Sequence, residues 1–237
     1  MTDRFNNDCP LLRQFKGLSS SLVSDAMFAL GLPDAVLDTS VKLLAGKPIL
    51  GRAVTIGRTY RPNNGTREDV PPEFALAIQE VIDTAPAGSI LVTAVQGVRS
   101  HANWGANQAL RASLVGITGV VTDGPVRDLN EMQALGVSVF AQGTSPRSGQ
   151  DRFTTTVKNG PVICAGVLIK PGDILLGDED GVIVICPDDA AAIAVKARQI
   201  DHAEEQMRQH VLDGGKLEDA VRKYKSGRPA GQSAAGA

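Results

Sequence analysis

Leu22, Ala26 and Leu30 recur at helical spacing behind a serine cluster, and Gly31-Leu32-Pro33 stops the run, which predicts a first helix over Ser19 to Leu30. From Gly51 to Tyr60 the residues alternate as in a strand, and the Pro/Asn/Gly-rich stretch Arg61 to Gly65 reads as a loop. Glu73 to Asp83 is helical in pattern, and Pro86-Ala87-Gly88 turns into a strand from Ser89 to Val95. Trp104 to Val115 reads as a helix with Leu110 and Leu114 on one face, ended by Gly116. The short β-branched run Ile117 to Thr122 follows, cut off by Asp123-Gly124-Pro125. A short helix over Leu129 to Leu135 and a strand over Val137 to Ala141 complete the alternation.

Phe153 to Cys186 is strand-rich, with turns at Pro171-Gly172-Asp173 and at Asp178 to Gly181, and has the look of antiparallel pairing. Pro187 introduces a long helix from Asp188 to Leu212, alanine-rich at first and charged later, and a shorter helix spans Leu217 to Tyr224. Alternating helices and strands followed by antiparallel strands predict an α/β fold with a mixed sheet, and no repeat of fixed period interrupts it. Length and a 43% hydrophobic content suit one domain over residues 1–226, with 227–237 as a Gly/Ala/Ser-rich tail outside it.

A formal net charge of -2 gives no electrostatic footprint for nucleic acid or an anionic membrane. No run reaches the length of a membrane span, and the start, Met1 to Asp8, lacks a signal peptide's apolar segment, so a cytoplasmic protein is expected. Cys9, Cys164 and Cys186 are scattered and read as reduced core residues. The histidines show no zinc-ligand spacing, so any metal should be a hard ion held by oxygen.

The chemistry concentrates at Gly116 to Asp128, where Arg127 and Asp128 follow the end of a strand. In open α/β sheets ligands bind at that rim. An Arg fork beside an Asp can hold a substrate carboxylate and a divalent cation together. The competing reading is a surface ion pair, with Asp128 serving the N-terminal dipole of the next helix. Upstream, the first-turn amides of Gly105, Ala106, Asn107 and Gln108 offer a site for a carboxylate or oxyanion, unless water or a side chain caps them.

The chain resembles the RraA-like family, which includes the 4-hydroxy-4-methyl-2-oxoglutarate (HMG) aldolases and the regulators of ribonuclease E activity. The resemblance runs through Ser24-Asp25-Ala26, the strand opening Gly51-Arg52-Ala53-Val54-Thr55, Pro86-Ala87-Gly88, Trp104-Gly105, the whole Gly116 to Asp128 signature, Lys170 to Asp173 and Asp178 to Val182. It implies a central mixed β-structure flanked by helices, of the swivelling β/α/β type, assembled as a homotrimer or dimer of trimers. It also implies a lyase that cleaves 4-hydroxy-2-oxo diacids or decarboxylates oxaloacetate with Mg2+ or Mn2+. Carried onto this sequence, Asp128 is the metal ligand, Arg127 contacts the pyruvyl part of the substrate, and Gly105 to Gln108 contact its carboxylate.

Aldolase members pair the Arg-Asp dipeptide with a following acidic residue and with an earlier Asp. Arg127, Asp128 and Glu131 match the second half of that pattern, whereas the earlier position holds Ala106. Asn107 cannot simply substitute, because consecutive helical positions point about 100° apart. His101, Asn103 and Asp123 are close enough in sequence to supply polar chemistry. The resemblance also implies an acidic residue from the C-terminal helix reaching a neighbouring subunit's site, with Glu204 or Glu205 as candidates. The alternative for these two is a solvated face with a Glu204–Arg208 pair. Two other readings stay open: a regulator that binds and inhibits a ribonuclease or helicase, and related metal-assisted enolate chemistry on a sugar-derived acid. The loop Arg61 to Val70 and the segment Gln96 to Trp104 would shape the pocket for the latter.

Overall fold

A computed structural model describes residues 9–61 and 72–224. The expected tail from Gly227 and most of the Arg61 to Val70 loop lie outside them. Along the chain run α1 (Pro10–Arg13), α2 (Ser20–Ala29), β1 (Lys42–Ala45), β2 (Ile49–Tyr60), α3 (Ala77–Thr84), β3 (Ile90–Ala94), α4 (Ala106–Leu114), β4 (Gly119–Thr122), α5 (Leu129–Ala134) and β5 (Ser138–Ala141). The second half supplies β6 (Phe153–Lys158), β7 (Val162–Cys164), β8 (Val167–Ile169), β9 (Ile174–Gly177), β10 (Val182–Ile185), α6 (Ala190–Leu212) and α7 (Leu217–Tyr224). Strands β2, β3, β4 and β5 are parallel neighbours joined through α3, α4 and α5. Strands β1, β6, β9 and β10 join the same sheet antiparallel, which makes it mixed, and β7 and β8 form a separate hairpin.

Side-chain alternation explains how the sheet is covered. Ile90, Val92 and Ala94 of β3, Leu175 of β9, and Val182 and Val184 of β10 share one inner cluster with the β7–β8 hairpin. The opposite face is split between two helical layers. Leu91 and Val120 pack with α3, α4 and α5, whereas Ile174, Leu176, Ile183 and Ile185 pack with α1, α2 and α6. Period-two burial on both faces of a curled sheet is what the apolar runs require.

Several expected faces are shifted. On α2 the buried positions are Ser20, Val23, Ala26 and Met27, with Leu30 exposed; Ser19 caps the helix by accepting from the Leu22 amide. On α4 the buried face is Ala109 and Ala112, while Leu110 and Leu114 face outward. Small residues let α4 lie close to the sheet, so the leucine stripe marks the helix but not its core side. Cys9 and Cys164 are buried as expected, but Cys186 is exposed, because β10 ends at Ile185 and the thiol lies past it. Only the alanine-rich half of α6 is buried. Among the described residues, no helix is long and apolar enough to cross a membrane.

Candidate active site

The parallel strands set the site by placing the loops after β3 and β4 side by side. Asp123, at the end of β4, accepts hydrogen bonds from the Val95 and Gly97 amides at 2.6 and 3.0 Å, which ties the two loops together. Burial pushes its pKa up, against the pull of those amides. The buried Asn103 side chain donates to the Thr122 hydroxyl and the Pro125 carbonyl, both at 3.1 Å, and Trp104 bridges to Val126 in parallel. Asp123 and Asn103 are thus builders of the frame. An Asp123→Asn substitution would aim an amide N–H at a backbone N–H. The expected cost is about 1–3 kcal/mol, read as a fall in Tm of roughly 3–10 °C by calorimetry; an unchanged Tm would contradict the clamp.

Arg127 and Asp128 follow on this frame, with the Arg127 amide donating to the Trp104 carbonyl. Asp128 has φ 59° and ψ 39°, a left-handed backbone that Asp tolerates better than most residues. It stands at the N-terminus of α5 yet makes no side-chain cap there. Its Oδ2 instead accepts from the Ala106 amide of α4 at 3.2 Å and lies 3.5 Å from Arg127 Nε. The carboxylate is therefore turned toward α4, which answers the reading in which it serves the following helix.

Gly105 is the N-cap of α4, and a Cβ there would meet Asp128 Oδ2 at 2.9 Å and the Arg127 side chain at 3.2 Å. A side chain here would push the Asp128 carboxylate and the Arg127 side chain out of their present positions. Its amide donates to Gln108 Oε1 at 3.2 Å. Two of the four anion-binding amides expected from sequence are thus already engaged. Asn107 and Gln108 keep first-turn N–H groups with no acceptor among the described residues.

These residues line one cavity of about 760 Å³, together with Glu131, Arg58, Arg61, Phe153 and residues 148–151. Arg127, Asp128, Glu131 and Gly105 to Gln108 are therefore brought together. Glu204 and Glu205 are not: both lie on the outer half of α6, and the ion pair there joins Glu205 to Arg208, one position off the expected Glu204 pairing. His101 also stands apart, with Nδ1 3.0 Å from the Ser100 hydroxyl and its ring against Tyr60. Burial and the nearby Arg152 and Arg147 lower its pKa.

Arg58 is the functional candidate that sequence reasoning missed. The β2–β6 register slips between Gly57 and Arg58, a bulge that re-aims the side chain. Its signal was the glycine inside a strand pattern.

Fold and site together define an α/β protein with an acid-and-arginine cavity at the carboxyl ends of parallel strands. Residues 20–184 match the RraA-like family, described as Aldolase/RraA, and the chain belongs to that family. It is 28% identical over 214 residues to a Halalkalibacterium halodurans protein named "Putative 4-hydroxy-4-methyl-2-oxoglutarate aldolase", covering 90% of this chain and 92% of that one. It is 31% identical over 215 residues to Protein DlpA of Legionella pneumophila; the match covers 90% of this chain but spans only 34% of DlpA's length. A Streptomyces coelicolor structure, RraAS2, described as an unusual member of the RNase ES inhibitor RraA protein family, superposes with TM-score 0.74 at 26% identity, covering 85% of this chain and 96% of that one.

Proposed function

We propose that the protein is a divalent-metal-dependent lyase that cleaves or decarboxylates 2-oxo acids through a pyruvate enolate. The observation that carries this reading is the Asp128 carboxylate held against Arg127 and the first amide of α4 inside one cavity. The name of the Halalkalibacterium relative supports the same class.

The donor set fits a hard, largely hydrated ion of the Mg2+ type. Asp128 Oδ2 is engaged by the protein, while Oδ1 has no hydrogen-bond partner among the described residues. Glu131 lies one turn along α5 in the same cavity. Among the described residues no group of three or more His, Cys, Asp or Glu is placed to hold a metal ion, so a cation here would rest on Asp128, at most with Glu131, and otherwise on water. Bound at Asp128, such a cation supplies Lewis-acid stabilisation to a developing enolate. Arg127 holds fixed positive charge beside the same position and orients the 2-oxo carboxylate. The first-turn N–H groups of Asn107 and Gln108 donate to that carboxylate's second oxygen.

Ala106 decides between reactions. Its amide touches Asp128 Oδ2 at 3.2 Å, so a carboxylate on this residue would border the cation's site. Aldol cleavage needs a base for the 4-hydroxyl proton, whereas loss of CO2 from oxaloacetate needs only enolate stabilisation. The expectation is faster turnover of oxaloacetate than of HMG. Ala106→Asp should raise HMG cleavage about tenfold or more while changing oxaloacetate turnover much less; no gain in aldol cleavage would count against this assignment.

The test of the class is pyruvate release from oxaloacetate and from HMG by the purified protein with Mg2+ and with EDTA. Turnover should vanish in EDTA and return with added Mg2+. Failure on both acids would overturn the lyase reading in favour of a partner-binding regulator, the alternative that the likeness to RraAS2 supports.

A further inference from the structure

Beside Arg127 the cavity is lined by Arg58 and Arg61, and the enolate chemistry does not use Arg58. Arg58 Nη1 donates to the Asn103 carbonyl at 3.1 Å, and its guanidinium lies over the Phe153 ring at 5.0 Å. Its Nε is buried with no hydrogen-bond partner, and no carboxylate lies within ion-pair distance of the group among the described residues. Burial pulls its pKa down to about 10, the mark of a cation taken out of water without a counter-charge. Such a group is costly to bury unless something compensates it. The bulge at Gly57 and Arg58, where a Cβ on Gly57 would strike Val157 at 2.9 Å, aims this cation into a ligand cavity instead of solvent.

We propose that Arg58 is the specificity-determining residue that receives the second carboxylate of a 2-oxo diacid. The inference rests on reading the cavity as a 2-oxo acid site. Arg58 grips the backbone at Asn103, and Arg127 with Asp128 close on the extended Gly105, two residues further along. Two residues of backbone span at most about 7 Å, so the contacts of both arginines fall on the same wall of one cavity. The geometry favours a diacid whose second carboxylate stays on the departing keto acid. A carboxylate held as an ion by a fixed arginine is stabilised against loss as CO2, so the carboxylate that oxaloacetate releases has no use for Arg58.

Binding of two unreactive probes tests this independently of turnover. Neither 2-oxoglutarate nor 2-oxopentanoate has a 4-hydroxyl or a 3-carboxylate to lose, and they differ in the terminal carboxylate. Calorimetric titration with Mg2+ present should show wild type binding 2-oxoglutarate about tenfold or more tighter, the worth of one charge-assisted hydrogen-bond contact. Arg58→Met should remove that preference while leaving 2-oxopentanoate affinity within about twofold. Arg58→Lys, which keeps charge without the fork, should retain part of it. Equal affinity of wild type for both probes, or equal weakening of both by Arg58→Met, overturns the proposal. Should Arg58→Met fail to fold, the wild-type ratio and Arg58→Lys still decide. A diacid preference that depends on Arg58 in a protein without lyase activity would sink the proposed reaction and leave the carboxylate site standing.

Discussion

Asp128→Ala is expected to lower oxaloacetate turnover about a thousandfold or more at saturating Mg2+, because Lewis-acid stabilisation of an enolate is worth several kcal/mol. The same change also removes the acceptor of the Ala106 amide and puts Ala at φ 59°. A left-handed backbone costs a residue with Cβ about 1–2 kcal/mol, and Asp and Asn escape part of this through local hydrogen bonding. Asp128→Asn is therefore the cleaner partner variant. It keeps the left-handed turn and an oxygen for Ala106, and loses only the charge. The two variants should be equally inactive, while Asp128→Ala alone loses a few degrees of Tm. If Asp128→Asn turned over at more than about a tenth of the wild-type rate, a carboxylate would not be needed here and the cation would have to be held elsewhere.

The part of this site legible in the sequence was the part written in local order. Thr122 to Asp128 announces a strand end, a turn and a charged pair within seven consecutive positions, and parallel pairing then carries them to the rim where α/β sheets bind ligands. What stayed hidden depends on partners distant in the chain. Asp128 was free, from sequence, to cap α5, its immediate neighbour. It turns to α4, 22 residues upstream, because its own backbone is left-handed and Gly105 has no side chain to block it. Asp123 looked like a candidate for chemistry and instead clamps an amide 28 residues away. The role of Arg58 depends on a bulge against β6, for which Gly57 inside the strand pattern is a local hint, but the register slip itself is set by a partner strand about 100 residues away.

The helices show the same division. Periodicity marks that α2 and α4 exist, but the side that packs follows from which residues let the helix approach the sheet. On α4 these are Ala109 and Ala112, while Leu110 and Leu114 remain outside. The long α6 illustrates the limit for Glu204 and Glu205. Their helix is readable from composition, but the expected contact with a neighbouring subunit's site would be a property of an assembly, which one chain does not specify.

Arg127→Met is expected to lower kcat/KM for oxaloacetate about a hundred- to a thousandfold, the usual loss when one preorganised donor to a developing oxyanion is removed. The side chain is half-exposed, with its Nε 3.5 Å from Asp128 Oδ2 and its stem beside the bare Gly105. How the loss divides reports what Arg127 does. Holding the ground-state carboxylate alone would raise KM and leave kcat intact, whereas stabilising the enolate lowers kcat in step with kcat/KM. The second pattern is expected, because Asn107 and Gln108 already offer two amides for the ground-state carboxylate and no other cation lies within ion-pair distance of Asp128 among the described residues. Arg127→Lys separates charge from geometry: a lysine keeps the positive charge but not the planar fork, so it should recover part of kcat with KM little changed. A methionine variant with less than a tenfold loss would remove Arg127 from the chemistry and leave the cation at Asp128 to stabilise the enolate unaided.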